Sequence, residues 1–298
     1  MTTTGVVGLG AMGGRIAARL LALGHDVVGT NRTRAKANAL ITQGLVWCDT
    51  PRATADRSDV VISMVTNGSA LEAVTEGPDG ILAGLTPGAV YIDMSTVSPR
   101  SSRALADRVA WLGAAMLAAP VSGSVPAVEA GRLAIMVGGT AEAYKRVEPI
   151  LRDLGSTVTF VGDVEQALLL KLGINISLGV QMLAFSEGVL LAERGGVDRS
   201  VALDVLTSSA IGSPMLQARA PLLLDLPDEA WFDVAMMQKD LRLALDAGRD
   251  EGLLMPSTVA ADKMLTLARS NGYEQKDIAA LFRLLFDLAP TLHSTAAL

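Results

Sequence analysis

A glycine run near the N-terminus constrains this chain more than any other feature. Gly8-Leu9-Gly10-Ala11-Met12-Gly13 has the spacing G-x-G-x-x-G. It overlaps the end of a short apolar stretch, 4–10, that reads as a buried strand. A helical pattern over 12–23 follows it, with Met12, Ile16, Leu20 and Leu23 at helical spacing. In that setting each glycine has its own task. The first allows a tight turn, the second lets the backbone approach a pyrophosphate, and the third lets helix and strand pack closely. The helix N-terminus then offers unpaired N–H groups to an anion. A glycine-rich turn that binds nothing is the alternative, and the strand–turn–helix context argues against it. The run predicts a dinucleotide-binding βαβ unit, with Gly8 through Gly13 against the cofactor.

The chain continues in the same texture. Val27–Thr30, Asp59–Val65 and Ala89–Met94 read as strands, and 34–43 and 99–113 as helices. Leu133–Val137 and Val158–Val161 read as the last strands of the sheet. Strands alternating with helices predict an α/β fold, a doubly wound parallel sheet of the Rossmann type, over 1–163. After residue 163 no convincing strand remains. The helical patterns are 164–194, 198–208, 215–223, 233–252, 256–270 and 275–288. The C-terminal domain, 164–298, is therefore expected to be all-α. Its first helix, 164–194, would be roughly 45 Å long at about 1.5 Å per residue, enough to join the domains and line the cleft between them.

Composition narrows the partners. The 298 residues carry a formal net charge of −6, which gives no reason to expect nucleic acid or an anionic membrane. Cys48 is the single cysteine, and His25 and His293 are the only histidines. A Cys/His metal cluster is implausible, so no metal is expected. A lone thiol and an N-terminus without a signal-peptide pattern suit a cytoplasmic protein. The longest apolar stretch, 167–192, is broken by Lys171, Asn175, Gln181 and Glu187. It is not read as a membrane span. It reads as a helix buried on nearly all sides, which commonly needs a partner subunit, hence a homodimer or homotetramer.

The end of the second strand bears on cofactor choice. NAD-preferring sites place an Asp or Glu there for the ribose 2′-hydroxyl. This chain has Asn31-Arg32-Thr33, followed by Arg34, and Asp26 comes too early. An arginine there can pair with a 2′-phosphate. NADP(H) is expected as the preferred cofactor, with NAD(H) possible; the other reading of Arg32 is an ordinary surface charge.

Reducing a carbonyl by hydride transfer also needs a proton donor. His25 lies just before the second strand, far from a nicotinamide, and His293 lies in a polar C-terminal stretch. Lys171 interrupts the apolar run LLLKLGIN, and Asn175 follows four residues later on the same helical face. A lysine desolvated in a cleft has its pKa pushed down and can serve as acid and base. The residues alone leave this open against a lysine that snorkels to solvent.

The chain resembles the β-hydroxyacid dehydrogenase family over nearly its whole length. That family includes 3-hydroxyisobutyrate dehydrogenases, tartronate semialdehyde reductases and glyoxylate/succinic semialdehyde reductases. The match is carried by VVGLGAMGGRIAARLLALGHDVVGTNRT, DMSTVSP at 93–99, APVSGSVPAVEAGRLAIMVGG at 119–139, KLGIN at 171–175 and QKDLRLALDAG at 238–248. The resemblance implies an NADP(H)-dependent oxidoreductase acting on a small carbonyl or hydroxyacid substrate. It implies that Lys171 is the proton donor and that Asn175 orients the substrate. Ser122, Gly123 and Ser124 match the segment that holds the substrate carboxylate. Thr96 matches a residue near nicotinamide and substrate, and Met64, Val65 and Thr66 line the cofactor pocket. Lys239 matches a second lysine that reaches the cleft, and Phe232 an aromatic beside the substrate; core packing is the other reading of Phe232.

The departures from the family pattern are informative. Ser-Gly-Ser-Val-Pro-Ala replaces S-G-G-x-x-G-A, and a single Asn175 replaces a pair of asparagines. The first, with QKDLRLAL, resembles the glyoxylate and succinic semialdehyde reductases, and the second points away from 3-hydroxyisobutyrate itself. Three alternatives compete. Imine reductases usually carry Asp or Tyr in place of Lys171. 6-Phosphogluconate dehydrogenases have a longer helical domain. Non-catalytic relatives in chromatin complexes lose the lysine.

Overall fold

The structure is a computed structural model and describes residues 2–289. The first half alternates strands and helices: β1 (Thr3–Val7), α1 (Ala11–Ala22), β2 (Asp26–Thr30), α2 (Asn38–Thr42), β3 (Val46–Trp47), α3 (Pro51–Ala55), β4 (Val60–Ser63), α4 (Gly68–Thr75), α5 (Ile81–Gly84), β5 (Val90–Asp93), α6 (Pro99–Trp111), β6 (Ala115–Ala118), β7 (Val121–Ser122), α7 (Val125–Glu129), β8 (Ala134–Gly139), α8 (Ala141–Leu154) and β9 (Thr157–Gly162). Helices follow: α9 (Val164–Arg194), α10 (Arg199–Ser208), α11 (Pro214–Leu224), α12 (Val234–Asp250), α13 (Pro256–Ser270) and α14 (Ala280–Leu288). By contacts the chain divides into two compact units between Ile174 and Asn175, inside α9.

In the first unit the strands form one sheet in the order β3-β2-β1-β4-β5-β6-β8-β7, with β9 paired to β8. Every pairing from β3 to β6 is parallel. Neighbouring residues along each strand enter different cores. Val6, Ile62, Ile92 and Leu117 pack with Ile16 of α1 and Val147 of α8. Val7, Val61, Tyr91 and Met116 pack with Leu105 of α6 and Leu168 of α9. Both faces are covered, as an all-parallel region requires. The strand order reverses at β1, between β2 and β4, which is where open α/β sheets bind ligands.

Three expectations need correction. Leu133–Val137 falls in β8, which runs antiparallel to β6 and β7. A parallel return needs a long crossover, and the helix between β6 and β8 has only five residues. The stretch 275–279 is not helical; α14 starts at Ala280. Hydrogen bonds from Val234 N–H to Lys276 O (3.0 Å) and from Ile278 N–H to Phe232 O (3.1 Å) pair Asp277 with Asp233 in a single antiparallel bridge, and the residues on either side of Asp277 are turn or bend. Third, α9 is not buried on nearly all sides, since Leu191 is 76% exposed and Leu169 and Leu170 are exposed too.

The second unit packs helices around one core, with Met182, Phe185 and Val189 of α9 against Leu203, Leu216, Met237, Leu265 and Phe282. By length and composition α9 could cross a membrane. Its Ala167 and Leu168 belong to one core and its Met182 and Phe185 to another, so it is a core helix.

Candidate active site

The glycine loop links β1 to α1, and its glycines do different things. Gly8 turns the chain at φ +95°, and a methyl there would stand 2.4 Å from the Met64 carbonyl oxygen. A methyl on Gly13 would stand 1.9 Å from the Gly8 carbonyl oxygen, so α1 is pressed against the turn. A methyl on Gly10 would meet nothing within 4 Å. That open space lies at the N-cap of α1, which has no side-chain cap and no acidic residue in its first turn. Among the described residues this is the cradle a dinucleotide pyrophosphate needs: unpaired N–H groups and room for close approach. The residues fit the group.

The loops at the carboxyl ends of neighbouring strands meet here. Gly8 N–H donates to Thr30 O (3.0 Å). Leu9 N–H donates to Asn31 Oδ1 (3.1 Å), and Asn31 Nδ2 donates to Thr33 O (3.0 Å). Asn31 therefore uses its amide to tie the end of β2 to the glycine loop. Arg32, Thr33 and Arg34 are exposed beyond it, and the Arg34 guanidinium lies over the Trp47 ring, 5.4 Å from its centroid.

A buried polar network joins the ends of β4 and β5. Ser63 pairs in register with Asp93, and Tyr91 points to the same face two residues earlier. Tyr91 O–H donates to Ser63 Oγ (2.8 Å), which donates to Asp93 Oδ1 (2.7 Å). Asp93 Oδ1 also accepts the Ser95 N–H (3.2 Å), and Ser95 Oγ accepts the Val65 N–H (3.0 Å). All four side chains are fully buried or nearly so. Burial, then the Asp93 charge, pushes the Tyr91 phenol well above its ordinary pKa, against the Ser63 hydrogen bond. Tyr91 thus stays a neutral donor. The segments held are those carrying Met64, Val65, Thr66 and Thr96.

Ser122 ends β7, and Ser124 caps the backbone of α7 without a side-chain bond. Gly123, between them, has φ +137°, and a methyl there would stand 2.8 Å from Leu133 Cδ2 and 2.9 Å from Ala127 Cβ. Lys171 lies on α9 at 9% exposure, with Leu168 and Leu172 buried beside it on the helix. It is no snorkelling surface lysine.

In the second unit Asn175 Nδ2 donates to Asp240 Oδ2 (2.5 Å), and Asp240 Oδ1 lies 2.8 Å from Lys239 Nζ. Asp240 is buried. It brings Asn175 of α9 and Lys239 of α12 to one carboxylate. Gly179, one turn after Asn175, permits this approach: a methyl there would stand 2.9 Å from Met237 Sδ of α12. Phe232 is half-buried against the helical core. His25 pairs with Asp153 (2.7 Å), and His293 lies outside the described residues. Sequence reasoning finds Lys239 but passes over Asp240, although a carboxylate between Met237 and Leu241 on a buried helix face was a readable signal. Ser63, Tyr91 and Asp93 gave no signal, because their meeting depends on strand register.

An open α/β sheet with a glycine-lined cradle at its switch point defines a dinucleotide-binding fold. Residues 3–162 match the NAD binding domain of 6-phosphogluconate dehydrogenase. Residues 166–285 match the NAD-binding domain of NADP-dependent 3-hydroxyisobutyrate dehydrogenase. The chain is 32% identical over 277 residues to glyoxylate/succinic semialdehyde reductase 1 of Arabidopsis thaliana, covering 93% of this chain and 96% of that one. A 3-hydroxyisobutyrate dehydrogenase structure from Salmonella typhimurium superposes with a TM-score of 0.87 at 27% identity, covering 95% of this chain and all (100%) of that one. A structure of Psf3 in complex with NADP+ and 2-OPP gives 0.88 at 29% identity, covering 95% and 99%. This chain belongs to the β-hydroxyacid dehydrogenase family and is an NAD(P)-dependent oxidoreductase acting on hydroxyl groups.

Proposed function

We propose that the chain is an NADP(H)-linked reductase of a short semialdehyde or 2-oxoacid, of the glyoxylate, succinic semialdehyde or 3-hydroxyisobutyrate type, with Lys171 as its proton donor. The observation that carries this is the burial of Lys171 one helical turn before Asn175, whose amide is held by Asp240. A lysine ordinarily snorkels to solvent, and one kept buried in an apolar helix face supports a chemical role.

The nicotinamide, when bound, supplies the hydride to the carbonyl carbon. As that C–H bond forms, the carbonyl π electrons move to oxygen, and Lys171 Nζ–H gives its proton to that oxygen. The lysine is left as a neutral amine, which a solvent proton recharges. In the oxidative direction the neutral amine removes the hydroxyl proton. In the roles the family resemblance implies, Asn175 would orient the substrate, with its amide held by Asp240. Ser122, Gly123 and Ser124 would supply hydroxyl and N–H donors for the substrate carboxylate, and Phe232 an aromatic for its carbon skeleton. Thr96 and Lys239 would serve the reacting end, and Met64, Val65 and Thr66 the cofactor.

Arg32, exposed at the end of a strand that lacks an acceptor carboxylate there, supports NADP(H) over NAD(H), and that preference favours reduction. The exposed leucines of α9 support a homodimer or homotetramer.

Lys171→Ala tests the mechanism. kcat should fall by about 10²–10⁴-fold, while NADPH affinity measured by fluorescence titration stays near wild type. A kcat close to wild type would refute the lysine. NADPH oxidation against glyoxylate, succinic semialdehyde, methylmalonate semialdehyde, tartronate semialdehyde and a cyclic imine tests the substrate class. Turnover of the imine alone would replace the carbonyl reading.

A further inference from the structure

Asp277 is fully buried, and its carboxylate is surrounded by donors. Oδ2 accepts the N–H groups of Trp231 (3.0 Å) and Phe232 (3.1 Å). Oδ1 accepts the N–H of Ala279 (3.1 Å) and lies 3.6 Å from Nε of the buried Arg219. The Phe232 carbonyl in turn accepts the Ile278 N–H (3.1 Å). Both backbone polar groups of Phe232 are thus held by two consecutive residues, 277 and 278. Arg219 also covers the Trp231 ring, its guanidinium carbon 5.9 Å from the centroid.

Chemistry explains why this position is a carboxylate. An ionised carboxylate has acceptors only, so it can face four donors at once. An amide would turn its own NH2 towards either the two backbone N–H groups or the Ala279–Arg219 side. Burying the charge is costly unless it is paired and hydrogen-bonded, and here it is both. A segment that needed only to pack would not require this arrangement. The segment it serves is 231–233, where Asp233 caps α12 by accepting the Met236 N–H (2.7 Å).

We propose that Asp277 is a positioning residue for the substrate pocket, fixing the backbone of Phe232 and hence the place of its ring, with Arg219 balancing the charge. The proposal rests on the reading above that Phe232 meets the substrate.

A double-mutant cycle with Asp277→Asn and Phe232→Ala tests it, reading kcat, KM for the best substrate, NADPH affinity and Tm. Each single change should raise substrate KM about tenfold or more and leave NADPH affinity unaltered. The double variant should be no worse than Phe232→Ala alone, because Asp277 acts through Phe232. If Phe232→Ala leaves KM unchanged, the reading of Phe232 fails and the proposal with it. If Phe232→Ala raises KM but Asp277→Asn does not, or the two effects multiply, the proposal is overturned and Phe232 stands. Should Asp277→Asn not fold, Arg219→Met/Asp277→Asn removes both charges and enters the same cycle. Failure of that pair to fold would make Asp277 a folding residue and also overturn the proposal.

Discussion

Gly10→Ala and Gly13→Ala separate the cofactor cradle from the packing of α1. A methyl on Gly13 would lie 1.9 Å from the Gly8 carbonyl oxygen. An ordinary C···O contact is about 3.3 Å, so helix and turn must part by roughly 1.4 Å. Both sides are backbone and neither can rotate away. Overpacking of this kind costs about 3 kcal/mol, or about 6–12 °C in Tm for a unit of this size. A methyl on Gly10 would meet nothing within 4 Å, and its backbone, at φ −80° and ψ −157°, is extended and open to alanine. Loss of glycine at an N-cap costs under about 1 kcal/mol, and a stiffer unfolded chain returns about 0.4–1 kcal/mol. Gly10→Ala should therefore keep its Tm to within about 3 °C. Its methyl nevertheless fills the cradle, and NADPH Kd should rise about tenfold or more, equivalent to about 1.4 kcal/mol. Differential scanning fluorimetry without cofactor and NADPH titration give both numbers. A Gly10→Ala protein that binds NADPH as tightly as wild type would refute the cradle. One that melts as early as Gly13→Ala would refute the open space.

Two further expectations concern the groups around the site. Arg32→Ala should raise KM for NADPH by about 10–100-fold, the value of a charge-assisted hydrogen bond, and leave KM for NADH unchanged; a higher kcat/KM with NADH than with NADPH in the native protein would refute the preference. Asp240→Asn should lower kcat by about 10–100-fold, since it removes the charge that holds Asn175 and Lys239; steady-state kinetics showing no loss would detach Asn175 from the mechanism.

Periodicity and glycine spacing made most of the fold readable. Helix α9 runs from Val164 to Arg194, as its apolar pattern predicts. The reasons for the misses differ. β3 is only Val46–Trp47, too short for any alternation. β6 is Ala-Met-Leu-Ala, residues that favour helix as readily as strand. The non-helical course of 275–279 depends on a partner segment more than forty residues away, with Asp277 accepting from Phe232. The site divides the same way. Lys171 and the glycines announce themselves through local contrast, a charge among leucines or a spacing without side chains. Asp240 meets Asn175 across 65 residues, and Ser63 meets Asp93 across 30. Such contacts come from packing and register, which no local window contains.

The hydrogen bonds around the glycine loop carry a consequence for redesign. Asn31 mounts the end of β2 on Leu9 and Thr33, whereas Ser63, Asp93 and Ser95 mount the loops after β4 and β5. The two systems share no residue. If cofactor choice is made at Arg32 and Thr33, as proposed above, it is a separable module. It can be recoded without touching the scaffold of the reactive end, provided Asn31 is retained as its bracket.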